Sequence, residues 1–255
     1  MNGVRVVKLG GNELDRPGWL DACVAGFERG APVVVVHGGG KAVDALSRRL
    51  GLPVEKREGL RVTTAEIAEV VEMVLCGSVN RRLVCALRAA GIDALGLSGA
   101  DGGLLSARLV SGGLGYVGEV ASVRAPLLES LLLAGFTPVV APVAPPPDDP
   151  AGVPLNINAD HAAAAIAGAL HAAELLLVSD VPGVTVAGVV RPALDAGECE
   201  GLIAGGVAVH GMVTKLRAAV AALGAGAGAV RIGDSRMLRN PAAGTRLVAG
   251  TRQPA

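Results

Sequence analysis

Two lysines, an aspartate and a set of glycine-rich turns carry the chemistry legible in this chain. Lys8 ends an apolar run and is followed by Leu9, Gly10 and Gly11. Four valines, Val33–Val36, run into His37, Gly38, Gly39 and Gly40. Asn156, Asn158 and Asp160 alternate, so an extended lead-in places all three on one side. Lys215 lies in the amphipathic run Met212–Leu216. Lysine is scarce: only Lys8, Lys41, Lys56 and Lys215 occur among the 23 Lys and Arg residues. A chain that otherwise uses arginine keeps lysine where a compact point charge is wanted, as around a transferring phosphoryl group. Glycine turns opening helices offer backbone N–H groups to an anion. Plainer readings stand beside these: a tight turn for each glycine, a helix cap for one Asn or Asp, a solvated cation for Lys41.

These residues need strands and helices to place them. Val4–Leu9, Val33–Val36, Ala94–Leu97, Thr137–Ala141, Leu175–Val178, Val230–Gly233 and Arg246–Val248 read as short strands, the second so β-branched that both faces should be covered. Helices are expected over Trp19–Arg29, Ala42–Leu50, Ala125–Ala134, Ala193–Ala204 and Met212–Leu223. A further helix, capped by Thr63 or Thr64, runs through Gly77 to about Ala90, and another is opened by Asn158 or Asp160 and reaches Ala169. Leu104–Val120 holds two extended runs about Ser111-Gly112-Gly113, a hairpin. Pro142–Pro154 reads as an exposed loop. The alternation predicts an α/β fold with an open, mainly parallel sheet sandwiched by helices. The glycine turns and Ser98, Gly99, Asp180 and Gly183 then gather beyond the carboxyl ends of the strands, where such sheets bind ligands.

With 255 residues the chain is one large domain or one domain in two lobes, and lobes of 1–170 and 171–255 are expected. Lys+Arg and Asp+Glu both number 23, which excludes the basic excess of a nucleic-acid protein, and 51% hydrophobic residues exclude disorder. No apolar stretch is long enough to span a membrane, and the amino terminus lacks the layout of a signal peptide, so a cytoplasmic protein is expected. Cys23, Cys76, Cys85 and Cys199 have no metal-ligand spacing and read as buried reduced thiols; no metal ligands are expected among them or the histidines. The P-loop, the protein-kinase motifs, the dinucleotide fingerprint and the nucleophile elbow are all absent.

Taken in order, Lys8-Leu9-Gly10-Gly11-Asn12, Val36–Gly40, Gly59-Leu60-Arg61-Val62-Thr63, Gly96-Leu97-Ser98-Gly99, Gly115–Val120, Asn156–Asp160, Ser179–Gly183 and Gly211–Lys215 resemble the amino acid kinase family, most closely its acetylglutamate kinase branch. The resemblance covers nearly the whole chain. It implies phosphorylation of the side-chain carboxylate of N-acetyl-L-glutamate in arginine biosynthesis, with ATP and Mg²⁺ held mainly by the nucleotide. Lys8 and Lys215 would stabilise the transferring phosphoryl group, with Asp160 holding both. Gly10 and Gly11 would bind phosphate; Gly39 and Gly40 would donate to substrate oxygens. Arg61 would pair with the substrate α-carboxylate, with Asn156 as its helper, and Asn158 would also bind the substrate. Asp180, Val181, Pro182, Gly183, Val184 and Thr185, with Val207, Ala208 and Val209, would line the nucleotide site. The carboxyl-terminal motif and the absence of an extra amino-terminal helix imply a homodimer without arginine feedback. Residues Glu72–Asn80 also resemble a branch acting on carrier-protein-linked 2-aminoadipate, and a non-catalytic sensor on the same fold is a third reading. His210 and the Pro145–Pro150 loop depart from the family pattern.

Overall fold

The computed structural model describes residues 3–10, 13–14, 16–57 and 59–248; Gly11 and Asn12 of the expected phosphate-binding turn lie outside them. The chain opens with β1 (Arg5–Leu9), α1 (Trp19–Val24), β2 (Val33–His37) and α2 (Gly40–Arg49). A short hairpin, β3 (Lys56–Arg57) and β4 (Leu60–Arg61), precedes α3 (Ala65–Glu72), a π-helical segment Met73–Val79 and α4 (Asn80–Ala89). Then come β5 (Ala94–Ser98), β6 (Leu105–Leu109), β7 (Val117–Val123), α5 (Ala125–Leu133), β8 (Thr137–Ala141), β9 (Val143–Ala144) and β10 (Leu155–Ile157). Next are α6 (Ala159–Ala169), β11 (Glu174–Val178), β12 (Thr185–Val186), β13 (Val189–Val190) and β14 (Ala193–Leu194). The last elements are α7 (Ala196–Ala204), α8 (Gly211–Gly224), β15 (Val230–Gly233) and β16 (Thr245–Leu247).

The main sheet has eight strands in the order β14-β16-β15-β11-β1-β2-β8-β5. All its pairs are parallel except β15 with β16. The carboxyl ends of β1, β2 and β11 therefore share one edge. Alternation along the strands divides the core. Val6, Val34 and Val36 enter one apolar layer with α6 and α8; Val7, Leu9, Val33 and Val35 enter the other with α3 and α4. Each such side chain, almost wholly removed from water, contributes roughly 1.5–3 kcal/mol. Both layers take residues from before and after position 170. Alanines on the facing sides of α6 and α8 let these helices pack closely, which carries Lys215 of α8 to the amino end of α6.

Five expectations need correction. The helix from Trp19 ends at Val24 rather than Arg29, because Gly26, Gly30 and Pro32 cannot prolong it. Ala193 and Leu194 are strand, not helix: they pair with β16, and a capping box between Asp195 and Glu198 starts α7 afterwards. Pro142–Pro154 is not wholly an exposed loop, since Val143 and Ala144 are buried as an edge strand beside β10, with prolines at each end where no ladder donor is needed. Nor does strand–helix alternation hold throughout, because β6, β7, β10 and β9 form a separate four-stranded sheet. Of the four cysteines, all free, Cys85 is exposed rather than buried.

Candidate active site

Lys8 points to the α6 side of the sheet, where it meets Asp160 in the first turn of α6. The Lys8 Nζ stands 2.8 Å from Asp160 Oδ1, and Lys215 Nζ stands 3.2 Å from Asp160 Oδ2. One carboxylate thus holds two ammonium groups, all three nearly removed from solvent. Burial alone would raise the Asp160 carboxyl, but the two lysines outweigh it and hold it below the ordinary value. Burial, with the Lys8 charge beside it, lowers Lys215 against the pull of Asp160. The unit carries a net positive charge close to the glycine turns, as a site for transferring anions requires.

Lys8 and Asp160 line a cavity of about 260 Å³, together with Gly38–Gly40, Arg61, Asn156 and Asn158. Gly39 caps α2 without a side chain, and Gly40 begins the helix, so amino-terminal amides with no partner inside the helix open beside the cavity, an arrangement that suits an anion. A Cβ at Gly39 would sit 2.5 Å from Leu75 Cδ2, which shows how closely the turn is seated on the π-helical segment. Gly10 behaves differently from expectation. Its N–H donates to the Val178 carbonyl (3.0 Å), so this amide is committed to joining β1 with β11. Asn158 has two attachments: it lines the cavity, and its side chain caps α6 by accepting from the Asp160 and His161 amides.

Arg61, from β4, also lines the cavity and is almost buried. Its Nη2 donates to the Gly40 carbonyl (2.9 Å) and meets Asp44 Oδ1, while its Nη1 is buried without a hydrogen-bond partner. A buried guanidinium donor left unpaired is costly. Asn156 Nδ2 donates to Thr63 Oγ1 (3.3 Å), and Thr63 Oγ1 donates to the Arg61 carbonyl (3.0 Å), so Asn156 supports the Arg61 segment. Asp44, Lys56 and Thr63 were not assigned from sequence. The one available signal was a polar pair, Asp44 and Ser47, on the buried side of α2 beside Val43.

The glycine turn is also held from behind. His37 is fully buried; its Nδ1 donates to the Gly38 carbonyl (3.0 Å) and its Nε2 accepts from Asn80 Nδ2 (3.1 Å). That pattern needs a neutral ring. Burial pushes the imidazole from 6.5 down to about 4, against the Gly38 hydrogen bond. Between those values the unfolded chain binds a proton that the folded chain refuses, so stability falls as pH drops. Urea unfolding should show about 2 kcal/mol lost between pH 7 and pH 5 through this residue, a loss absent from His37→Asn. Equal losses in both proteins would refute the assignment.

A second cavity, of about 160 Å³, lies beyond the ends of β11 and α7. Val181, Gly183, Val184, Thr185, Val207, Ala208 and Val209 line it with Leu202 and Met212. Seven of the nine residues expected at a nucleotide site are therefore together; Asp180 and Pro182 are exposed beside them and do not line it. The apolar walls suit a flat heteroaromatic base. His210, with φ +47°, is a strained turn between this cavity and α8. Among the described residues, no group of three or more His, Cys, Asp or Glu is placed to hold a metal ion. None of the described helices is long and apolar enough to cross a membrane.

The amino acid kinase family profile matches residues 3–234. An acetylglutamate kinase of Chloroflexus aurantiacus is 47% identical over 256 residues, covering 98% of each chain. One from Bacillus cereus is 44% identical over 225 residues, covering 88% of this chain and 86% of its own. Among solved structures, smu.665 from Streptococcus mutans superposes with a TM-score of 0.85 at 31% identity, over 98% of this chain and 100% of that one. The profile spans both cavities and the clamp of Lys8, Asp160 and Lys215, so the chain belongs to the amino acid kinase family.

Proposed function

We propose that this protein phosphorylates the side-chain carboxylate of N-acetyl-L-glutamate with ATP, as a step of arginine biosynthesis. The observation that carries the reading is one cavity lined by two anion-seeking groups. Lys8, held by Asp160, is one, and Arg61, held by Asp44 and the Gly40 carbonyl, is the other. A dicarboxylate fits such a cavity. Its apolar walls, including Val43, Leu60 and Leu75, suit an acyl group. Among the described residues lining it, Asp160 is the only carboxylate, and two lysines already hold it, so a free α-ammonium would find no partner.

In this reading one carboxylate oxygen attacks the γ-phosphorus in line. A new O–P bond forms as the bond to the β,γ-bridging oxygen breaks, and ADP leaves with that electron pair. The attacking group is already an anion, so no general base is needed. Positioning and charge do the work. Lys8 and Lys215 neutralise the charge on the transferring group, the amides of Gly39 and Gly40 hold oxygens, and Arg61 with Asn156 anchors the α-carboxylate. Mg²⁺ bound on the nucleotide phosphates would neutralise further charge. The second cavity would take the adenine, with Asp180 and Pro182 at its rim. Residues 1–170 then act as the acyl amino acid lobe and 171–255 as the nucleotide lobe of a cytoplasmic homodimer. The sheet edge at β5, paired only with β8 among the described residues, supports association between copies.

The reading is tested by ADP release with ATP and Mg²⁺. N-acetyl-L-glutamate is expected to turn over with kcat/KM at least about 100-fold above free glutamate, whose ammonium meets an apolar wall. Aspartate and 2-aminoadipate derivatives, a carrier-linked one included, are run beside it. Preference for the carrier-linked substrate would move the protein to the lysine pathway. ATP binding with no ADP release from any of them would make it a sensor.

A further inference from the structure

We infer that Asp44 is the positioning residue of the α-carboxylate end of the cavity and, through it, sets how long a dicarboxylate the site accepts. The inference rests on the substrate class proposed above. Asp44 lies in the second turn of α2 and is 7% exposed. Its Oδ1 meets Arg61 Nη2 and its Oδ2 accepts from Lys56 Nζ at 3.0 Å. Arg61 Nη2 also donates to the Gly40 carbonyl, on the first residue of the same helix. Two acceptors on α2 therefore fix one nitrogen of the guanidinium. The other terminal nitrogen, Nη1, is left unpaired.

Two consequences follow from this geometry. Arg61 and Lys56 against Asp44 leave one net positive charge, which matches one carboxylate. More telling is where the anchor lies. Gly39 and Gly40 open α2, and the Gly40 carbonyl together with Asp44, one turn on, holds the guanidinium beside the same helix. A single rigid element thus sets the spacing between the helix amides and the guanidinium. The hairpin that carries Lys56 and Arg61 joins α2 at this point through side chains, Lys56 itself being about half exposed. A fixed span discriminates by chain length, because a substrate one methylene longer or shorter cannot reach both ends unstrained.

Asp44→Asn keeps the shape and removes the charge that aims the fork. KM for N-acetyl-L-glutamate is expected to rise about tenfold, with kcat and KM for ATP changed less than about twofold. The preference for N-acetyl-L-glutamate over N-acetyl-L-2-aminoadipate, as a ratio of kcat/KM, should fall by a similar factor. A purely structural role would lower active protein without changing either ratio. Asp44→Glu keeps the charge but displaces it by one methylene; it serves as the second variant should Asp44→Asn fold poorly, and should raise the same KM. An unchanged or lower KM in Asp44→Asn would overturn the inference, since Asp44 would then only mask the Arg61 charge. A fall in kcat alone would overturn it too. Calorimetric titration of N-acetyl-L-glutamate separates this inference from the proposed reaction. Binding by the wild-type chain without turnover refutes the reaction, and tenfold weaker binding by Asp44→Asn still supports the anchor. No binding by the wild-type chain refutes both.

Discussion

Replacing Lys8 by methionine is expected to lower kcat by about 10²–10³-fold while KM for the acyl amino acid changes little. The Lys8 ammonium is buried beside Asp160 in the cavity, where the proposed transfer would develop charge. Water is largely excluded there, so a lost cation is replaced by nothing of comparable strength. Methionine matches the stem in length and keeps the packing under α6. Lys215 stays tethered to Asp160 at 3.2 Å, so the variant isolates one of two charges. Lys8→Arg restores the charge but brings a planar fork into a space built for a compact ammonium, and should recover little activity. Initial rates of ADP release at saturating ATP and acyl amino acid give the comparison. A kcat within threefold of the wild-type value would mean that Lys8 only holds Asp160. In that case Asp160→Asn would still be damaging, because it leaves two buried lysines facing each other, and the doubly substituted protein would behave like the Asp160 variant alone.

The clamp was legible from sequence because each of its members sits in a local signature: a lysine before a glycine pair, an aspartate at a helix start, a lysine in an amphipathic run. Its joining was legible only through the family resemblance, since the close packing of α6 on α8 that brings the three together depends on alanines spread through both helices. The valines of β2 announced a strand buried on both faces, and the structure puts them in both core layers. Asp44 was missed for a physical reason. Its partners Lys56 and Arg61 lie 12 and 17 positions away on a hairpin whose strands have two residues each, too short for any periodic signal. His37 stood in a recognised turn, yet its neutral buried state depends on Asn80, 43 positions on. The second sheet escaped because β7 and β10 are parallel partners separated by α5 and β8, while β9 and β10 are too brief to read as strands. At Gly10 only the neighbouring strand reveals where the backbone amide is spent.

Arg231→Met is expected to cost about 3 kcal/mol or more of stability, read from the urea midpoint. Arg231 is 4% exposed on β15, where Nε and Nη2 grip Glu174 of β11 at 2.6 and 3.0 Å. Its Nη1 donates to the carbonyls of Asn240 and Ala243, at 3.0 and 3.3 Å. One side chain thus ties two parallel strands to the loop that carries Met237 and Leu238 into the core. Methionine leaves a largely buried carboxylate and two carbonyls without their donor, and the penalty comes mainly from those stranded groups. Removing both charges in Arg231→Met with Glu174→Leu should therefore recover much of the loss, while Glu174→Gln alone should cost less than the arginine change. The damage should also reach the nucleotide cavity. The loop leads into β16, whose Thr245 Oγ1 accepts from the Val184 amide at 2.8 Å and donates to the Arg191 carbonyl at 2.6 Å. Val184 lines that cavity, so loosening the loop should raise KM for ATP before it affects KM for the acyl amino acid, whose cavity is lined from α2, β4 and β10. An unchanged midpoint in Arg231→Met would show that the strands and loop are held by apolar packing alone, and the link from β15 to the nucleotide wall would fall with it.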